Sequence, residues 1–180
     1  MKFMVVVDMQ NDFITGSLGT PEAKAIVPNV VERIKAFNRE EGGVLLVGTL
    51  DTHDKDYADT LEGKLLPVLH CIKGTEGWKL HPSIEELVDF DFFCEKPTFG
   101  SLDLMVKLSV TEALQPEPLT EIEIMGLCTD ICVISNALLL RAAFPNVPIK
   151  VYANCCAGTT PEKHEAALKV MESCQIEVIR

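Results

Sequence analysis

Glu121-Ile-Glu-Ile-Met-Gly-Leu-Cys-Thr-Asp-Ile-Cys-Val133 is the stretch whose reading decides the fold. Its first seven residues are an apolar, β-branched run and predict a strand over Glu121–Leu127. The run stops at Cys128, and a helical pattern follows over Asp130–Phe144. Thr129 or Asp130 is placed to cap that helix, because a short oxygen-bearing side chain accepts from its first unpaired N–H groups. Cys132 falls in the first turn, where those N–H groups and the positive dipole end favour a thiolate. A strand end, a tight turn and a thiol at a helix N-terminus suit a nucleophile. Read alone, the segment suits a buried structural cysteine equally well.

Similar runs recur at Lys2–Asp8, Val44–Leu50, Phe90–Glu95, Ile149–Ala153 and Ile176–Ile179. Several are nearly continuous in apolar residues, as strands buried on both faces require. Helical patterns lie between them. Val27–Glu41 is ended by Gly42-Gly43, Leu102–Leu114 is closed by Pro116 and Pro118, and Pro161–Cys174 opens on a proline at a favoured first-turn position. This alternation predicts an α/β fold, a Rossmann-like three-layer α/β/α arrangement with a mostly parallel six-stranded sheet. The 180 residues, 47% of them hydrophobic, fit one domain over 1–180. The longest irregular region is Thr52–Pro82, and a loop of that length is usually functional.

The net charge of −11 would repel nucleic acid and anionic membrane surfaces. No apolar run reaches membrane-spanning length, and Phe3–Val7 is too short for a signal peptide. The seven cysteines, odd in number and without an export signal, read as free thiols in a reducing cytoplasm.

In open α/β sheets the ligand crevice lies at the carboxyl ends of the strands. The chemically versatile residues gather there: Asp8, Asp51 with His53, Lys96, and the turn before Cys132. Asp8 suits a general base that later returns its proton, or simply a turn residue. Lys96 suits an ammonium that lowers a thiol pKa, or an ordinary surface lysine. Asp51 and His53 are two apart on an extended chain and point to one face, as divalent-metal ligands must. His70 and Glu62 follow in the irregular region and would complete an open, catalytic-type metal site. His53 also suits a loop residue, and His70 a satisfied core histidine.

Six segments carry a family resemblance: Asp8-Met-Gln-Asn-Asp-Phe13, Asp51-Thr-His53, Leu61-Glu-Gly-Lys-Leu-Leu-Pro67, His70-Cys-Ile-Lys-Gly-Thr75, Glu95-Lys-Pro-Thr-Phe99 and Gly126-Leu-Cys-Thr-Asp-Ile-Cys-Val133. In this order and spacing the chain resembles the isochorismatase-like cysteine hydrolases, and within them the nicotinamidases. The resemblance implies a triad of Asp8, Lys96 and Cys132. It also implies a cis peptide at Leu127–Cys128 and an oxyanion hole from the backbone N–H groups of Cys128 and Cys132. Asp51, His53 and His70 are the metal ligands it carries over. Glu62 is the fourth, with Asp59 as fallback, because no histidine lies between His53 and His70. Cys128 competes for the nucleophile role, but the Thr-Asp-x-Cys-Val register assigns the chemistry to Cys132.

The implied activity is hydrolysis of nicotinamide to nicotinate and ammonia through a thioester, in salvage toward NAD. The implied cofactor is a divalent metal that anchors the pyridine ring, Zn²⁺ first, with Fe²⁺ or Mn²⁺ also suited. Phe13, Leu66 and Phe99 are the expected pocket residues. Leu66 stands where the family often places a ring-stacking aromatic. The expected partner is a small molecule, and the homo-oligomers common in the family leave no legible interface here. Trp78 has no assignment, and the Cys155-Cys156 pair is expected to end the fifth strand and pack. Two alternatives stay open: a related cysteine amidohydrolase acting on another small amide or ureido compound, and a non-enzymatic thiol- or metal-responsive protein using Cys128, Cys132, Cys155 and Cys156.

Overall fold

A computed structural model describes residues 1–37, 43–87 and 90–180. Six parallel strands form one sheet: β1 (Lys2–Val7), β2 (Val44–Asp51), β3 (Phe92–Lys96), β4 (Glu121–Leu127), β5 (Ile149–Ala157) and β6 (Glu177–Ile179). Their spatial order is β3-β2-β1-β4-β5-β6. The order reverses between β1 and β4, so the crevice at their carboxyl ends is the expected ligand site. The sheet centre is largely apolar: Phe3 to Val7, Ile122 and Ile124 are each at most 1% exposed, and the buried Glu123 between the two isoleucines pairs with Arg33. Burying one such side chain contributes about 1.5–3 kcal/mol.

The helices are α1 (Asn11–Ile14), α2 (Pro21–Ala36), α3 (Leu61–Leu65), α4 (Pro82–Glu85), α5 (Leu102–Leu114), α6 (Ile134–Ala143) and α7 (Pro161–Ser173). Helix α2 packs with α1 and α4, and α5, α6 and α7 pack in a second row, as right-handed crossovers onto the two faces of the sheet require.

Several boundaries differ from expectation. The first long helix begins at Pro21 rather than Val27, because Thr20 caps it by accepting from the Ala23 N–H and Pro21 sits in its first turn. Pro28 lies inside this helix on its exposed side. The helix stops at Ala36, and the expected end at Glu41 and Gly42 lies outside the described residues. Thr52–Pro82 is not structureless: it holds a 3-10 turn at Tyr57–Asp59, then α3, and reaches the start of α4. The fifth strand continues to Ala157, so Cys155 and Cys156 pack within it rather than ending it.

Gly126 is fixed by geometry. Its φ is +124°, and a Cβ there would lie 2.1 Å from the Val7 carbonyl oxygen. Only glycine lets β4 approach the end of β1 this closely. The ladder between β4 and β5 shifts register at the same place.

Candidate active site

Four strand ends build the site. Asp8 follows β1, with φ +48° and no exposed surface. Lys96 ends β3 and is 1% exposed. Cys132 follows β4 in a π-helical turn, Thr129–Val133, and is 5% exposed. Lys96 Nζ lies 2.7 Å from Asp8 Oδ2, 3.2 Å from Asp51 Oδ1 and 3.3 Å from Cys132 Sγ. The Thr49 hydroxyl donates to Asp8 Oδ1 at 2.6 Å. The ammonium pairs with Oδ2 as a buried ion pair.

Burial governs the titration of this cluster. It raises the Asp8 carboxyl above its ordinary range, with Lys96 opposing. Burial alone would lower Lys96, but Asp8, Cys132 and Asp51 outweigh it and hold the ammonium well above its usual pKa. The Cys132 thiol is likewise raised, by burial and by Asp8. The sequence favoured a thiolate at a helix N-terminus. The structure corrects this, because dehydration and a neighbouring carboxylate exceed the effect of Lys96. The expected caps are also corrected. The turn preceding α6 is π-helical and opens at Cys128 without a side-chain cap. Thr129 Oγ1 pairs instead with His164 Nδ1 at 2.8 Å, and Asp130 accepts from the Thr159 N–H and hydroxyl. The Leu127–Cys128 peptide bond is cis.

Beside the lysine lies an acid–imidazole cluster. The ligand atoms of Asp51, His53 and His70 all lie within 4.8 Å of one another, and all three residues are buried. Asp51 Oδ2 is 3.1 Å from His53 Nε2 and 3.4 Å from His70 Nε2. Burial would raise the Asp51 carboxyl, but the two imidazoles and Lys96 hold it below the usual carboxylate range. His70 Nδ1 is 2.8 Å from the Val68 carbonyl, which fixes the proton there and leaves Nε2 as a ligand atom. Glu62 Oε1 stands 3.7 Å and 3.8 Å from the two Nε2 atoms, at the edge of the group. Asp59 is exposed and outside it. Two imidazole nitrogens and a carboxylate at this spacing fit a divalent cation. Among the described residues no thiol belongs to such a group, and all seven cysteines are free.

A cavity of about 430 Å³ opens onto both clusters. Phe13, Leu66, Phe99, Cys128, Cys132, Asp51, Glu62 and His70 line it together. Phe13 is 7% exposed and packs edge-on against His70, so it serves core and cavity at once. Leu66 and Phe99 are 37% and 46% exposed.

Five supporting residues were not singled out from sequence. Buried Gln10 accepts from the Asp51 N–H at 2.7 Å and donates to the Asp51 and Trp78 carbonyls. Trp78, previously unplaced, donates from its indole to Thr52 Oγ1. Asp12 accepts from the Cys71 N–H at 2.8 Å, clamping the residue after His70. Tyr57 packs on both imidazoles and donates to the Leu66 carbonyl. Asn136 donates to the Cys132 carbonyl and accepts from the Ser101 N–H, joining α6 to the start of α5. The polar run Gln10-Asn-Asp12 directly after a strand was the available signal for two of them. The others depend on long-range contacts.

A Rossmann-order sheet with a buried thiol, carboxylate and ammonium at its switch point defines a class of α/β hydrolases. The isochorismatase domain model matches residues 2–180, and the chain belongs to that family. A nicotinamidase of Escherichia coli is 26% identical over 193 residues, covering 94% of this chain and 89% of that protein. An Arabidopsis thaliana protein described as a probable inactive nicotinamidase is 30% identical over 183 residues, covering 94% and 87%. Among solved structures, a nicotinamidase of Bacillus subtilis superposes with TM-score 0.80 at 31% identity, covering 99% of each chain. A Pyrococcus horikoshii pyrazinamidase in complex with zinc gives 0.79 at 26%, covering 99% of this chain and 98% of that one.

Proposed function

We propose that the protein is a nicotinamidase, hydrolysing nicotinamide to nicotinate and ammonia. The convergence of Lys96 Nζ on Asp8, Asp51 and Cys132 carries this reading, because it joins a nucleophile cluster to an acid–imidazole set in one cavity. Family membership alone is insufficient, since one relative is described as probably inactive.

In this reading Asp8 takes the Cys132 proton as sulfur attacks the carboxamide carbon. Burial raises both the Asp8 carboxyl and the Cys132 thiol, so the thiol meets substrate protonated and its proton must be taken as sulfur attacks. Lys96 stays protonated and steadies first Asp8, then the developing thiolate. The N–H groups of Cys128 and Cys132 hold the oxyanion, usually a large contribution to such catalysis. Asp8 returns the proton to departing ammonia, leaving a thioester. Water deprotonated by Asp8 then releases the acid and the thiol. Asp51, His53 and His70, with Glu62 as the fourth ligand, would hold a divalent metal, Zn²⁺ in our reading. That ion supplies a Lewis-acid contact that orients the ring. The product is a pyridine acid for salvage toward NAD, and the seven free thiols support a reducing, cytoplasmic setting.

A second reading is hydrolysis of another small amide or ureido compound. It is favoured by Leu66 in the cavity wall and by an N-carbamoylsarcosine amidase of Thermoplasma acidophilum, which superposes with TM-score 0.73 at 26% identity, covering 99% of this chain and 95% of that one. Ammonia release from nicotinamide, with Cys132→Ala and a chelated sample in parallel, separates the two. Activity lost in both controls supports the nicotinamidase. No turnover by folded, metal-loaded protein rejects it.

A further inference from the structure

A second space adjoins the catalytic cavity. This groove of about 670 Å³ lies between α3 and the segment after β3, and the two share Glu62, Leu66, Phe99 and Ile131 as walls. The groove is flanked by leucines that nothing covers: Leu61 is 75% and Leu65 78% exposed on α3. Exposed apolar groups clustered at the mouth of a reactive cavity point to a ligand. Leu66, on the wall between the two spaces, is narrower than a ring-stacking aromatic would be.

We propose that the site takes aromatic amides whose ring carries a neutral apolar substituent of a few carbons, lying in this groove. The inference rests on the amide-hydrolase reading above and names its substrate class. Charge excludes an anionic substituent, and the exposed leucines favour an apolar one. Asp54 and Asp56 line the groove together with Glu62, and among the described residues no lysine or arginine does. A carboxylated chain would meet like charge, whereas an alkyl chain would cover Leu61 and Leu65. Leu66 and Phe99 are then specificity-determining residues, and Leu61 and Leu65 extend the site outward.

The test is a substrate series on the metal-loaded enzyme: nicotinamide, nicotinamides alkylated at each free ring carbon from methyl to butyl, and one carboxylated chain of matching length. Complete burial of a methylene is worth about fourfold in kcat/KM. Half-open walls predict about twofold per methylene at one ring position, and a carboxylated chain at least about tenfold poorer than its alkyl match. The Leu61→Gln/Leu65→Gln protein should hydrolyse nicotinamide as the wild type does and lose the dependence on chain length. A flat or falling wild-type series at every ring position would overturn the inference while leaving nicotinamide hydrolysis intact. A rise that persists in the double variant would overturn it too. A flat series together with a dimer dissolved by the double variant would give this face to a second copy instead. Turnover of alkylated amides without turnover of nicotinamide would support the groove and refute the nicotinamidase. No turnover of any amide would refute both.

Discussion

Replacing Lys96 with methionine keeps most of the side-chain volume and removes the charge together with the donors to Asp51 and Cys132. At an effective dielectric of about 20, contacts of 2.7 Å to Asp8 and 3.2 Å to Asp51 represent attractions of about 6 and 5 kcal/mol. Dehydrating the ammonium offsets much of this. Breaking one partner out of such a buried set nets a loss of about 3–5 kcal/mol. That is a large share of the roughly 5–15 kcal/mol that holds a domain folded. With a urea slope of about 2 kcal/mol/M, the midpoint should fall by about 2 M. The measurement is made with chelator, so that no bound cation replaces the lysine.

The pH dependence has a definite sign. Asp8 already titrates above its unfolded value, and losing Lys96 removes a cause that lowers it. A carboxyl raised on folding destabilises at high pH and is relieved as pH falls through its folded pKa. The gap between wild type and Lys96→Met should therefore be widest near neutrality and narrow on acidification. Loss of the ammonium beside Cys132 should lower kcat/KM by at least about a hundredfold. A variant as stable as wild type at pH 7, or one within about fivefold of its activity, would refute the electrostatic account.

Three further outcomes follow from neighbouring residues. Gly126→Ala forces a Cβ to within 2.1 Å of the Val7 carbonyl at φ +124° and should cost at least about 2–3 kcal/mol by urea unfolding. Asp12→Ala removes the acceptor for the Cys71 N–H beside His70 and should weaken Zn²⁺ binding about 10–100-fold in equilibrium dialysis. Cys128→Ser should keep kcat within about threefold of wild type in the ammonia assay. The lysine contact goes to Cys132 Sγ at 3.3 Å instead.

The six strands were legible in the sequence because parallel strands buried on both faces leave unbroken apolar runs, although β5 runs four residues past its expected end at Ala153, to Ala157. β4 and α5 kept the bounds their patterns predicted, Glu121–Leu127 and Leu102–Leu114. The start of α2 was missed because an interior proline, Pro28, masked a pattern whose true cap is Thr20. The small elements between Thr52 and Pro82 were missed because each is too short for periodicity to register. Residues at strand ends were readable as candidates, since the sheet brings their positions together. Gln10, Asp12, Tyr57 and Asn136 were not, because each acts through a partner that only the folded chain places beside it. The thiol's titration ran opposite to local reasoning. A helix terminus is visible in sequence, whereas full burial beside Asp8 is a tertiary fact.

The most direct test is peptide mass mapping of the protein acid-quenched during turnover of nicotinamide, with Cys132→Ala as control. The account predicts a nicotinoyl thioester on the peptide at Cys132, absent from the variant, which releases no ammonia. An acyl group on Cys128, or ammonia release retained by Cys132→Ala, would contradict it.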